Sequence, residues 1–361
     1  MSYAESDKSS LASLALVNSD YRQLARSCQF RTVVFDYSPK SNALLVELQG
    51  ETLERGDSED NRTKRPSVGA CIRCVRAKLN DVSQAWIKAM KDNRNESRSL
   101  YDSRLTQIVP HLPHLDTLDL SNLVTIDSTF LNLLANSRSK HLRHLRLQGY
   151  VGPEITNIRI DEGASWPLES LDIEVRLELM NNEERDIDSS RYWDSLFRAC
   201  SSTLQSLMLD QIILLEDEDL DQDSLDEPIT FTAEFPRLES LHMGPDINIC
   251  PSTFKRLLQS ERLSTLFFNP DRDSTAECLV QIDQLKSLRT LAWCDDSLPI
   301  KHPAMVHLLE ASPHLRAFVT CMQFSATFQH SVLSALGACS SLKVLSLRWW
   351  GTSIDDLSLD A

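Results

Sequence analysis

Three groups of residues in this chain have the types and spacing for chemistry. Cys71-Ile72-Arg73-Cys74 carries the two-residue gap of a zinc half-site, and His111-Leu112-Pro113-His114 offers two imidazoles for a second half. A zinc centre needs four convergent soft ligands. Cys71 and Cys74 fall on an apolar stripe and His114 directly precedes an apolar frame, so packing and turn positions account for them; no metal and no cofactor is expected. Residues 216–227, EDEDLDQDSLDE, hold eight carboxylates in twelve positions. The alternation Asp217, Asp219, Asp221, Asp223 is that of a calcium loop, without its central glycine or its closing Glu. Like charges repel, so a solvated loop is the first reading and a regulatory or basic-partner site the second. Nine histidines complete the inventory. His111, His114, His141 and His144 flank apolar frames, and no Cys/His or Ser/His pairing has the local signature of an activated nucleophile.

Composition narrows the function classes further. The 361 residues include only 9 glycines, about a third of the usual share of roughly 7%. Phosphate-cradling loops and nucleophile elbows need glycine where the backbone approaches a ligand or turns sharply. No GxGxxG, GxxxxGK[ST] or GxSxG occurs, and the chain is not expected to be an enzyme. With a formal charge of −15 it is a poor partner for phosphate backbones, so no nucleic acid is expected. The imbalance is local: residues 1–110 carry 17 Lys+Arg against 14 Asp+Glu, and residues 111–361 carry 20 against 38. Nine scattered cysteines, a polar start (MSYAESDKSS) and no long apolar run point to reduced thiols in cytoplasm or nucleus and to no membrane partner.

The elements that position any site come from an internal repeat. Nine segments fit a Leu-x-x-Leu-x-apolar frame, beginning at Leu115, Leu142, Leu168, Leu204, Leu238, Leu263, Leu288, Leu315 and Leu342. Their spacings are 27, 26, 36, 34, 25, 25, 27 and 27 residues, and the two long ones enclose polar, acidic insertions. The x-Leu-x-apolar half alternates as a short strand must. Between frames lie helical spacings: Phe130/Leu131/Leu134, Leu196/Phe197/Cys200, Phe254/Leu257/Leu258, Leu279/Ile282, Met305/Leu308/Leu309 and Val332/Leu333/Leu336. One strand and one helix cannot bury an apolar face alone, so neighbouring units must stack.

These frames resemble the leucine-rich repeat family over roughly residues 110–361. The resemblance implies an α/β fold, a solenoid with a curved parallel sheet on the concave side and helices on the convex side. The family's Asn or Cys three residues after the frame is replaced by residues such as Leu123, Tyr150, Arg176, Asp246 and Trp350, which predicts irregular turns. Ahead of the repeats, residues 11–35 resemble the second half of an F-box with its exit strand; Leu11, Leu14, Val17, Tyr21 and Leu24 form two short apolar faces around Asn18-Ser19-Asp20. The family's opening helix would precede Leu11, where ten polar residues stand. The resemblance implies that Leu11, Leu14, Val17, Tyr21 and Leu24 dock the Skp-type linker subunit of a cullin ubiquitin ligase, the repeats holding an unknown protein substrate. The other reading makes Leu11–Phe30 the N-terminal cap of the solenoid core.

The expected organisation is therefore partial F-box-like helices over 1–30, an exit strand and charged loop over 31–66, a helical cap over 67–109 and about nine repeats over 110–361. The charged loop is read over 51–67, with helices at Val68–Asn93 and Leu100–Val109. In such a solenoid the residues flanking the second Leu line the concave face. They predict a protein-binding surface of Asp119, His144, Arg146, Asp172, Met208, His242, Phe267, Ala292, Val319, Val344 and Arg348, charged early and apolar late. Phe267, Trp293, Trp349 and Trp350 are the aromatic anchors. Trp293 fills an apolar frame position and is expected in the core, while Trp349–Trp350 fit packing under Ile354–Leu359.

Overall fold

Each apolar frame becomes a strand, because its period-2 alternation puts the leucines on one side and the intervening residues on the other. The computed structural model describes residues 13, 19–36, 38–56, 67–77, 95–123, 128–135, 141–151, 166–178, 189–215, 229–244, 247, 249–269, 285–295, 302–322 and 326–349. The fold is α/β, and the chain divides into two compact units, Met1–Leu168 and Glu169–Ala361. Each is solenoid-like, with parallel strands following one another in chain order.

In the first unit β1 (Thr32–Phe35), β2 (Cys74–Ala77), β3 (Thr117–Leu123) and β4 (His144–Val151) pair in that order. The described helices are α1 (Ser19–Gln29), α2 (Pro39–Gly56), α3 (Asn95–Ile108) and α4 (Ser128–Ala135). In the second unit the order is β5 (Ser170–Glu178), β6 (Ser206–Leu215), β7 (Ser240–Met243), β8 (Thr265–Phe268), β9 (Thr290–Asp295), β10 (Ala317–Met322) and β11 (Val344–Trp349). Its helices are α5 (Ser189–Cys200), α6 (Pro251–Leu258), α7 (His302–Glu310) and α8 (Ala326–Gly337).

The second Leu of each frame pairs with that of the next, so Leu171, Leu207, Leu241, Leu266, Leu291, Phe318 and Leu345 form one register row. All but Leu345 are buried, which holds one apolar row continuous along the strands; burying each such side chain is worth about 1.5–3 kcal/mol. Leu345, in the last strand, is 47% exposed. Helices cover this side: Phe254 of α6 stacks on Phe268, centroids 5.2 Å apart, and Phe268 meets Trp293 edge-on at 5.1 Å. Met305, Leu308 and Leu309 of α7 and Val332 and Leu336 of α8 are buried as their spacing predicts, whereas Leu333 is exposed. Leu279 and Ile282 lie outside the described residues.

One backbone device recurs at the start of the strands. The carbonyl ahead of one strand accepts two successive N–H groups of the next repeat, at 2.7–3.0 Å. The acceptors are Arg31, Arg73 and Asp116 in the first unit and Glu169, Gln205, Glu239, Ser264, Arg289 and Arg316 in the second. Before it, the leading Leu at 238, 263, 288, 315 or 342 donates its N–H to the carbonyl three residues back. A turn of this kind tolerates most residues, which is why Pro236-Arg237, Glu261-Arg262 and Pro313-His314 serve without glycine.

That device exposes two corrections. Residues 68–77 are not the start of a helix over Val68–Asn93: they form a 3-10 turn (Gly69–Cys71) and β2. Ile72, Val75 and Ala77 are all buried and stand where Leu115, Leu118 and Leu120 stand in the next repeat. Buried Val33 and Phe35 and half-buried Phe30 take the same places for β1. So Phe30–Phe35 and Ile72–Ala77 are two further frames, hidden by Phe, Ile and Val in place of Leu; with strands on either side, the β-branched residues pair rather than coil. The rest of the stripe, Leu79, Val82, Trp86 and Met90, lies outside the described residues. Second, the charged segment does not begin a loop at Glu51. α2 runs to Gly56, burying Ser41, Leu45 and Leu48 at helical spacing. Glu51 has a structural task, its carboxylate accepting the N–H groups of Val68 at 2.7 Å and Gly69 at 3.0 Å. Among the described residues no helix is long and apolar enough to cross a membrane.

Candidate protein-interaction surface

Because the leucines face the helices, the residues between them face the other way, and register lines them up across strands. In the second unit Asp172, Met208, His242, Phe267, Ala292, Val319 and Ser346 form one such row. Asp172, Met208, His242, Phe267 and Ala292 are half-buried and Val319 is 36% exposed, so this is an open face carrying side chains that water does not favour.

Two features sharpen the row's middle. The His242 ring stacks on Phe267 with centroids 4.0 Å apart and planes 20° from parallel. Burial pushes the His242 imidazole below the ordinary histidine range, and the nearby Asp210 carboxylate pulls it back. Asp210 itself lies over Gly244 of the following repeat. A Cβ on Gly244 would run into the Asp210 carboxylate and stand 3.0 Å from the Asp210 Cα, so it is the bare glycine that lets this carboxylate lie over the next repeat.

The sequence-derived site residues distribute as follows. Asp172, Met208, His242, Phe267, Ala292 and Val319 come together in the row just described. Val344 is also on the open face but one position earlier, opposite Ala317, so that Ser346 and not Val344 continues the row. Arg348 is one position later, opposite Cys321. In the first unit Asp119 pairs with Arg146, and His144 with Thr117. That row extends the other way to Arg76 and Val34, which the sequence reading missed because their frames lack leucine. Ser121 donates its hydroxyl to Asp119. Trp293 is fully buried. Trp349 pairs in register with Met322, while Trp350, Ile354–Leu359 and the acidic run 216–227 lie outside the described residues.

Leu11, Leu14 and Val17 also lie outside the described residues, but Tyr21 and Leu24 stand on α1, 45% and 54% exposed. Beside Leu24 a groove of about 900 Å³ opens, lined among others by Cys28, Arg31, Cys71, Arg73 and His114. Arg73 donates to the His114 carbonyl at 3.3 Å, and the His114 ring lies 5.9 Å from that of His141. The two-residue-gap cysteine and histidine spacings each put residues on this groove, Cys71 and Arg73 from one and His114 from the other, but no motif spans it, since it is assembled from three segments far apart in the chain. Burial raises the Cys71 thiol above its ordinary range, with Arg26 and Arg73 opposing.

Fold and face together define an α/β protein of stacked parallel strand–helix units. No protein-family model matches the chain, and no curated protein matches it in sequence.

Proposed function

We propose that this chain is a non-catalytic protein-interaction module, a leucine-rich-repeat protein resembling the F-box substrate receptors of cullin-type ubiquitin ligases. The open face of its strands holds a protein substrate, and α1 docks a Skp-type linker subunit. One observation carries this reading: Met208, His242, Phe267, Ala292 and Val319 are aligned in register on the face away from the apolar row, and they remain partly accessible there. A preformed surface of this kind binds with little ordering cost. The exposed Tyr21 and Leu24 support the linker contact.

A second reading, a repeat scaffold with no ligase role, has its own support. Ala25 of α1 is buried, and Phe30 donates its N–H to Arg26 as α1 gives way to β1. On this reading α1 is the helix that caps the first repeat. Co-expression of the full chain with a Skp-type linker separates the two. The ligase reading expects a stable complex at micromolar concentration, lost in Tyr21→Asp with Leu24→Asp; absence of a complex with the unaltered chain leaves the scaffold.

A further inference from the structure

The groove beside Leu24 lies within the first unit, between α1, the turn at Ser67–Cys71 and the turn at His114. Leu24, Cys28, Ala70 and Cys71 give it apolar walls, and Arg31 and Arg73 give it charge. Backbone pairing holds the two arginines together, since the Arg31 carbonyl accepts the N–H of Arg73 at 2.9 Å. Arg31 is exposed, and among the described residues its side chain has no hydrogen bond and no ion pair. Arg73 is half-buried, and its guanidinium donates to a neutral group, the His114 carbonyl, at 3.3 Å. Arg26 adds a third cation, acting with Arg73 on the Cys71 thiol. The two carboxylates nearby are engaged elsewhere. Glu51 accepts the N–H groups of Val68 and Gly69, one on each oxygen. Asp116 accepts the Thr117 hydroxyl at 3.1 Å on one oxygen and meets Arg143 at 4.0 Å with the other.

Independently of the open face and of any linker contact, we propose that this groove binds an acidic peptide segment of a partner protein. Its Asp or Glu carboxylates pair with Arg31 and Arg73, and an aliphatic side chain beside them lies against Leu24, which is 54% exposed. A single small anion would leave most of the groove's volume of about 900 Å³ unfilled. Phosphate sites also draw on converging backbone N–H groups. Here those of Val68, Gly69, Ala70 and Cys71 already have acceptors in Glu51, Ser67 and the Val68 carbonyl. Guanidinium groups remain, and their planar forks take a carboxylate in two parallel hydrogen bonds. The chain's formal charge of −15 opposes an acidic partner at long range. At physiological salt, charges beyond about 8 Å are largely screened, so the arginines at the groove decide.

The test is a displayed random peptide library, depleted on the full chain carrying Arg31→Gln with Arg73→Gln and then selected on the unaltered chain. The enriched peptides are expected to carry Asp or Glu within two residues of an aliphatic residue. By fluorescence anisotropy they should bind the double variant about tenfold more weakly, and binding should weaken as salt rises. Arg31→Gln alone changes an exposed side chain, so it reports the same loss in part if the double variant departs from the parent's near-ultraviolet dichroism. Bound peptide should also slow alkylation of Cys28, in the groove, and not of Cys250, in the second unit, as read by mass spectrometry. No enrichment overturns the inference, as do enriched peptides without an acidic position. Peptides that bind Arg31→Gln as tightly as the parent, or that leave Cys28 alkylation unchanged, overturn it equally.

Discussion

The imidazole of His242 lies stacked on the ring of Phe267, 4.0 Å between centroids, on neighbouring strands and on the side away from the leucines. The contact joins packing to charge. The ring is partly desolvated by its neighbours, yet Asp210 stands close enough to favour its protonated form.

Protonation of His242 should therefore work against the fold. Its folded pKa lies below the ordinary 6.5 because desolvation outweighs Asp210. As pH falls through 6.5 the unfolded chain binds the proton first. Stability is lost progressively until pH passes below the folded value, where the loss is complete. His242→Asn should flatten the acid side of a urea-midpoint profile between about pH 5 and pH 8, and Asp210→Asn should move the imidazole titration seen by NMR lower still. An upward move with Asp210→Asn excludes this account of the carboxylate.

Gly244→Ala should destabilise the second unit by about 1–3 kcal/mol, because the new Cβ runs into the Asp210 carboxylate and falls 3.0 Å from its Cα. Removing the carboxylate in Asp210→Ala/Gly244→Ala should recover part of the loss. Equal destabilisation of single and double variants in urea would place the strain elsewhere.

Thr320 occupies a fully buried frame position and its hydroxyl has no hydrogen-bond partner among the described residues; Trp293, its register neighbour, has an indole N–H equally unpartnered among them. A buried polar group without a partner costs stability. Thr320→Val keeps the shape and removes the hydroxyl, so the melting temperature should rise, by the equivalent of about 1 kcal/mol. Thr320→Ser keeps the hydroxyl, loses the methyl, and should fall by about 1 kcal/mol.

Glu51 links α2 to the turn before β2 through two backbone N–H groups. Glu51→Ala leaves both without this acceptor and should cost about 1–3 kcal/mol in urea unfolding. Glu51→Gln retains an acceptor oxygen for one of them and should cost less. If the two variants are equal, the cost comes from side-chain packing and not from the hydrogen bonds.

The nine leucine frames were legible because their signal is local: a Leu two or three residues from the next fixes which side of a strand each residue takes. The same rule puts Asp172, Met208, His242, Phe267, Ala292 and Val319 on one face. It puts Val344 on that face too, but flanking a leucine gives the face and not the row. Row membership depends on register with the preceding strand, and Ser346, not Val344, lies opposite Val319. The reading failed at Ile72–Ala77, where an apolar stripe at helical spacing competed with a strand pattern of equal length. The cysteine and histidine spacings flagged Cys71 and His114 singly, but not that they share a groove beside Leu24, which is built from α1, the turn at Ser67–Cys71 and the turn at His114.

Sequence alone thus determined the strand–helix alternation, the burial of the leucines in every frame but the one at Leu342 and the open-face identity of the intervening residues, because alternation and amphipathic spacing are properties of a few adjacent residues. The tertiary structure decided what depends on distant partners. Pairing of Val75 with Val33 and Leu118 makes residues 74–77 a strand. Glu51 finds its N–H groups seventeen and eighteen residues away. Asp210 lies over a glycine just past the end of the next strand, and His242 meets Phe267 only across a register that hydrogen bonds between strands impose.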